Sequence, residues 1–105
     1  MKRIKTVPAE DLVALKEDIS EGRCAFLDVR ERSEFEAGHI PLAVLRPLSE
    51  LESWSRELEK DRPVLLCCKT GKRSQRCAEV LISKGFSDVS FLEGGYAAWY
   101  SRTGR

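Results

Sequence analysis

The chain reads as one α/β domain, with a mostly parallel central sheet of about five short strands and helices on both faces. Three observations predict this. Apolar runs of strand length alternate with segments of helical periodicity along the whole chain. The runs are apolar throughout, without a polar-out alternation, which is the pattern of strands covered on both sides. Polar segments follow three of them directly: Asp28-Val29-Arg30, Cys68-Lys69-Thr70 and Glu93-Gly94-Gly95. In parallel sheets functional groups collect at the carboxyl ends of strands, so the fold can bring these three to one edge.

The elements follow in order. Ile4-Lys5-Thr6-Val7 is a short first strand. Pro8 suits the first helical position, and Leu12, Leu15 and Ile19 fall at helical spacing before Gly22 ends the element. Cys24-Ala25-Phe26-Leu27 is the second strand. Ser33-Glu34-Phe35-Glu36 has the capping-box pattern of a brief helix that Gly38 closes. Ala43-Val44-Leu45 is a very short strand. Ser49-Glu50-Leu51-Glu52 is a second capping box, opening a helix with Leu51, Trp54 and Leu58 on its apolar face and a Glu52–Arg56 pair on its wet side. Asp61-Arg62-Pro63 turns the chain into the strand Val64-Leu65-Leu66-Cys67. The next helix runs from about Ser74 to Lys84, with Cys77, Leu81 and Ile82 on one side and Gly85 as its stop. Val89-Ser90-Phe91-Leu92 is the last strand, and a final short helix carries Tyr96, Trp99 and Tyr100, with residues 102–105 expected to fray.

A length of 105 residues suits a single domain spanning the chain, with one modest core. The apolar (42%) and charged (33%) fractions are those of a globular protein, and a net charge of +1 gives no reason to expect a nucleic-acid partner. Met1 to Pro8 is charged with no apolar stretch behind it, so it does not read as a signal peptide. No apolar run approaches the roughly 20 residues of a membrane span, so no membrane association is expected. A cytoplasmic location is the expectation.

The four cysteines lie at 24, 67, 68 and 77, without a C-x-x-C pair, and the single His39 is remote from them in sequence. Neither a disulfide framework nor a metal site is expected. Cys24 and Cys67 read as small buried hydrophobes. Cys68 differs. It opens the loop Cys68-Lys69-Thr70-Gly71-Lys72-Arg73-Ser74 between an apolar strand and a helix. Loop amides, the positive end of a helix and four cations (Lys69, Lys72, Arg73, Arg76), with no carboxylate before Glu79, all favour thiolate over thiol. Gly71 lets the backbone curl into an anion-holding nest. The candidate site is therefore Cys68 as nucleophile, with Lys69, Thr70, Gly71, Lys72, Arg73 and Ser74 around an anionic substrate.

This loop resembles the active-site loop of the rhodanese (thiosulfate sulfurtransferase) family. Leu27-Asp28-Val29-Arg30-Glu31, followed by Glu34-Phe35 and Gly38-His39-Ile40-Pro41, is similar to that family's first signature, and Glu93-Gly94-Gly95-Tyr96-Ala97-Ala98-Trp99 to its C-terminal one. Two positions depart: Leu42 where Gly is common, and Cys67 where an aromatic residue is common. The resemblance implies a rhodanese-like fold and sulfur transfer through a Cys68 persulfide, with a small anionic sulfur donor, a thiophilic acceptor (cyanide, a thiol or a protein persulfide partner) and no cofactor. Lys69, Lys72 and Arg73 would bind the donor, Thr70 and Gly71 supply amides, and Ser74 caps the helix. The alternatives are a persulfide carrier or partner-binding module without a free small-molecule substrate, and a cysteine-dependent phosphatase or arsenate reductase. Four residues separate Cys68 from Arg73 where tyrosine-type phosphatases have five, which gives a smaller cradle. Asp28 and Arg30 either support the loop or form an ion pair that shapes the strand end. His39 reads as a structural, backbone-bonded residue, and Cys77 as core packing or, alternatively, a resolving thiol.

Overall fold

The structure, a computed structural model, describes residues 4–103. Five parallel strands, β1 (Lys5–Val7), β2 (Ala25–Asp28), β3 (Val44–Leu45), β4 (Val64–Cys67) and β5 (Val89–Leu92), form one sheet in the order β1-β5-β4-β2-β3. β4 is central and pairs in register with β2 (Phe26 opposite Leu65, Asp28 opposite Cys67) and with β5 (Leu65 opposite Ser90). Both β2 and β4 are buried at every position, which is why their sequences carry no polar alternation. The five-strand parallel α/β architecture is as the sequence implies.

The helices α1 (Leu12–Ser20), α2 (Arg32–Ala37), α3 (Leu51–Trp54), α4 (Lys72–Ser83) and α5 (Gly95–Thr103) divide between the two faces. Leu51, Trp54, Cys77, Ala78 and Leu81 of α3 and α4 pack on Leu27, Val64, Leu66 and Val89. On the other face Leu12 of α1 joins Phe26, Ile40, Leu65, Cys67 and Leu92, flanked by Phe35 of α2 and Tyr96 and Trp99 of α5. The chain leaves β2 toward β3 on one side and leaves β4 toward β5 on the other, with α2 and α4 on opposite faces. That makes the carboxyl ends of β2 and β4 the point where the winding direction reverses, the place where such sheets open a crevice.

Several local expectations need correcting. Pro8 precedes a 3-10 turn, Ala9–Asp11, because its carbonyl accepts the Asp11 N–H at 3.0 Å, and the α-helix proper starts at Leu12. The first capping box exists but sits two residues earlier, with Glu31 as N-cap and Glu34 as its partner. The second does not form. Ser49 Oγ donates to Glu31 Oε1 at 3.1 Å, and residues 48–57 become a 3-10 turn, one α turn and another 3-10 turn. Leu51 and Trp54 are buried as expected, but Glu52 pairs with Lys84 at 2.9 Å rather than with Arg56. α5 continues to Thr103, past the expected start of fraying; Gly104 and Arg105 lie outside the described residues, as do Met1 to Arg3.

Ile40 to Ala43 make a tight turn, with the Ala43 N–H on the Ile40 carbonyl at 3.1 Å. Leu42 stands in it at φ 77°, the only residue other than glycine with positive φ among those described. Pro41 and a positive φ at the next position are the pattern of a type II turn, which favours glycine at the site Leu42 occupies. A left-handed leucine costs about 1–2 kcal/mol. Leu42→Gly is therefore expected to raise the urea midpoint by an amount worth about 1 kcal/mol, and β-branched Leu42→Val to lower it. A lower midpoint for Leu42→Gly would show that the side chain, not the backbone, governs this turn.

Candidate active site

Cys68 directly follows β4 and is almost fully buried, at 1% exposure. Its Sγ accepts the Gly71 N–H at 3.0 Å and the Ser74 N–H at 3.3 Å. Both donors exist because the chain turns at Gly71, whose φ of 116° lies where L side chains rarely go, and enters α4 at Lys72. Ser74 is thus the third residue of α4, not its cap, and the position before the helix is Gly71, with no side-chain cap. The expected role fails because the Ser74 amide already points at sulfur. Its hydroxyl is fully buried with no hydrogen-bond partner, in the helical turn that faces Cys68. Amides aimed at a sulfur suit an anionic sulfur.

Gly95 makes room for this loop, whereas Gly94 makes room for Ala98 of α5. A Cβ on Gly95 would lie 2.7 Å from the Lys69 carbonyl carbon and oxygen and closer still to the Cys68 carbonyl oxygen. That contact lets α5 grip the loop: the Tyr96 N–H donates to the Cys68 carbonyl at 2.7 Å and the Ala97 N–H to the Lys69 carbonyl at 3.0 Å. Sequence reasoning did not identify these two amides, since backbone groups leave no compositional trace.

Of the loop cations, Arg73 is already committed. Its Nη1 and Nη2 donate to Glu34 Oε1 and Oε2 at 2.8 and 2.9 Å. The same Glu34 Oε1 accepts the Glu31 N–H at 3.0 Å, so one carboxylate both caps α2 and ties it to α4. These bonds, the Arg73 one foremost, hold the Glu34 carboxyl down at about 2. The expectation that Arg73 binds the donor directly is not what the structure places there. Neither role of Glu34 was legible in the sequence, where the capping pattern pointed to Ser33 and Glu36 and the arginine partner lies 39 positions away. Lys69, Thr70 and Lys72 are exposed, and neither lysine has a carboxylate within 4 Å among the described residues.

Asp28 and Arg30 form a buried ion pair at the end of β2, exposed by 0% and 5% at their side chains. Arg30 donates through Nε and Nη2 to both oxygens of Asp28, and its backbone N–H adds a bond at 3.0 Å. Nη2 also reaches the Gly38 carbonyl at 2.7 Å, and the guanidinium lies 4.6 Å from the centre of the Tyr96 ring. The pair thus joins β2, the end of α2 and α5. His39 stacks on Phe35 at 3.6 Å, with its Nδ1 2.8 Å from the Phe35 carbonyl oxygen.

The remaining thiols are unlike Cys68. Burial, and then Asp28, pushes the Cys67 thiol well above its ordinary value. Burial, with Cys68 adding to it, pushes Cys77 up to about 12, which leaves a protonated core thiol rather than a resolving thiolate at neutral pH. All four cysteines are free, and among the described residues no group of three or more His, Cys, Asp or Glu is gathered to hold a metal ion.

The comparisons with known proteins agree with this fold. The family model of the rhodanese-like domain matches residues 11–102. Thiosulfate sulfurtransferase GlpE of Pseudomonas syringae is 34% identical over 94% of this chain and 90% of its own length. The structure of human single-domain sulfurtransferase TSTD1 superposes with a TM-score of 0.77 at 28% identity, covering 92% of this chain and 96% of that one. A Rhodopseudomonas palustris protein of unknown function, described as a possible tyrosine phosphatase, superposes with a TM-score of 0.83 at 26% identity, over 94% and 81% of the two chains.

Two outcomes test the frame of the site. Gly95→Ala is expected to cost more than about 2 kcal/mol in urea unfolding, because backbone must move to admit the methyl group. The Glu34–Arg73 pair is expected to lose its stabilising effect as pH falls. The folded carboxyl sits at about 2 against an ordinary 4.5, so the contribution is whole above 4.5 and disappears as pH drops toward 2. Glu34→Gln should flatten that part of the stability–pH curve, and an unchanged curve would dismiss the pair as a contributor.

Proposed function

The chain belongs to the rhodanese-like domain family, whose relatives include sulfurtransferases, and from that premise we propose that it moves a sulfane sulfur through a persulfide on Cys68. The Cys68 thiolate attacks the outer sulfur of thiosulfate or a related anionic donor. The bond between the outer and inner sulfur breaks, and sulfite leaves with the electron pair. A thiophilic acceptor, cyanide or a thiol, then takes the outer sulfur and returns Cys68 to thiolate.

The observation that carries this reading is the convergence on Cys68 Sγ of the Gly71 and Ser74 amides, beside a buried Ser74 hydroxyl that lacks a partner. A cradle this tight suits one more sulfur atom, with the hydroxyl free to donate to it. A sulfur with 1% exposure is also better matched to a protruding terminal sulfur than to a bulky group. Exposed Lys69, Lys72 and Arg76 are the cations left to attract the anionic donor, since Arg73 is held by Glu34.

The same ion pair weighs against phosphoryl chemistry. A phosphatase needs its loop arginine to fork two equatorial oxygens of the phosphoryl group. Here both Nη atoms of Arg73 are spent on Glu34, and the loop is one residue short of the phosphatase spacing.

The test is intact-mass analysis after incubation with thiosulfate, coupled to sulfite release on adding cyanide. Wild-type protein should gain one sulfur and turn over, whereas Cys68→Ser should do neither. Ser74→Ala should keep the fold and lower turnover roughly tenfold or more. Hydrolysis of an aryl phosphate without sulfur uptake would reverse the assignment.

A further inference from the structure

Away from Cys68, at the edge of the sheet formed by β3, two cavities adjoin. The larger, about 400 Å³, is walled mainly by apolar side chains that include Leu12, Val13, Ile40 and Trp99, with Lys16 and the paired Glu10 and Arg102 also in its lining. The smaller, about 180 Å³, holds Arg46, Arg62 and the Cys24 thiol. They share Ile19, Phe26 and Leu42 as walls, so the two lie side by side with only these side chains at their boundary. The first is within the size range of small-molecule sites, which combine apolar walls with a few placed polar groups.

The charge of the small compartment is unbalanced. The nearby carboxylates are already taken, Asp18 by Arg23 at 2.8 Å and Asp88 by Lys5 at 2.9 Å. Among the described residues neither Arg46 nor Arg62 has a carboxylate within 4 Å; the Arg46 guanidinium donates only to the Leu45 carbonyl, its own neighbour in sequence, and Arg62 Nε is buried with no partner. A buried guanidinium nitrogen without an acceptor is costly to keep, and an anion satisfies it best. Cys24 adds no opposing charge, since burial foremost, and then Asp88 and Asp18, hold it as a thiol.

We propose that this double cavity binds an amphipathic anion, a medium-chain fatty carboxylate, with its acyl chain in the apolar compartment and its carboxylate on Arg46 and Arg62. Leu42 stands between the two. It holds a conformation that glycine would adopt without strain, and it presents an exposed apolar side chain to both compartments. The site lies at the β3 edge and does not depend on the chemistry of Cys68.

Titration with decanoate, followed by calorimetry and by the fluorescence of Trp99, tests the assignment. Saturable binding is expected for wild-type protein and for Cys68→Ser alike, with decanol and decylammonium binding roughly tenfold more weakly or not at all. Replacing both arginines (Arg46→Gln with Arg62→Gln) should weaken decanoate roughly tenfold or more, and Leu42→Gly should weaken it while raising stability. Decanoate should also protect Cys24 from alkylation, read by peptide mass mapping of the unmutated protein, which keeps the proposal testable if the double variant does not fold. No saturable binding, equal binding of decanol, unchanged affinity in a folded double variant, or unprotected Cys24 would each overturn it.

Discussion

The two hydrogen bonds from the start of α5 to the Cys68 and Lys69 carbonyls are the constraint on which the site depends. In a trans peptide the N–H points opposite to its C=O. Fixing those two carbonyls on α5 therefore turns the Lys69 and Thr70 amides away from it, and the chain can curl at Gly71 with its N–H groups inward. If the carbonyls were free to rotate into the cradle, their oxygens would repel the same anionic sulfur the amides favour. The grip requires α5 to approach the loop more closely than any side chain permits, which is the physical reason for Gly95. The loop that holds Cys68 is thus fastened from a helix that follows it by nearly thirty residues.

Charge around the strand ends is partitioned in a way that composition alone obscures. Two arginines, Arg30 and Arg73, each form a two-pronged pair with a carboxylate, and both pairs tie separate elements together. Planar guanidinium forks suit this fixed geometry, whereas a lysine ammonium on a flexible stem suits an anion that arrives and leaves. Exposed Lys69 and Lys72 fit the second role, and Arg76 is left exposed beside them. Asp28–Arg30 is the more buried of the two pairs. Its desolvation is offset because Asp28 accepts from the Arg30 backbone as well as its side chain, and the guanidinium also reaches Gly38 and the face of Tyr96.

The fold was legible because its signal is local. Continuous apolar runs at β2 and β4 and helical spacing in α1 and α4 need no partner to be read. Cys68 and Gly71 were legible for the same reason, since a strand, a cysteine and a glycine are adjacent in sequence. What escaped depends on contacts distant in sequence. Ser49 matched a capping pattern but spends its hydroxyl on Glu31, eighteen positions earlier. Glu34 stood inside a capping-box pattern whose ends were Ser33 and Glu36, and proved to be both the box partner of Glu31 and the partner of Arg73. Ser74 looked like a cap because serine precedes an apolar helical face, yet the helix begins two residues sooner, where a sulfur atom, rather than a side-chain oxygen, accepts the N-terminal amides.

The pair Cys67 and Cys68 shows how strongly the fold, more than the residue type, decides chemistry. Strand alternation sends their side chains to opposite faces of the sheet. Cys67 enters the apolar layer under α1 and α5, where burial and the neighbouring Asp28 disfavour its thiolate and, among the described residues, no amide is aimed at it. Cys68 turns to the α4 side, equally buried, but there the first turn of α4 meets it with two N–H groups. Burial alone would make both thiols inert. The difference is the pair of donors, and these exist only where the strand ends and the helix begins, so a cysteine one position earlier in β4 cannot use them.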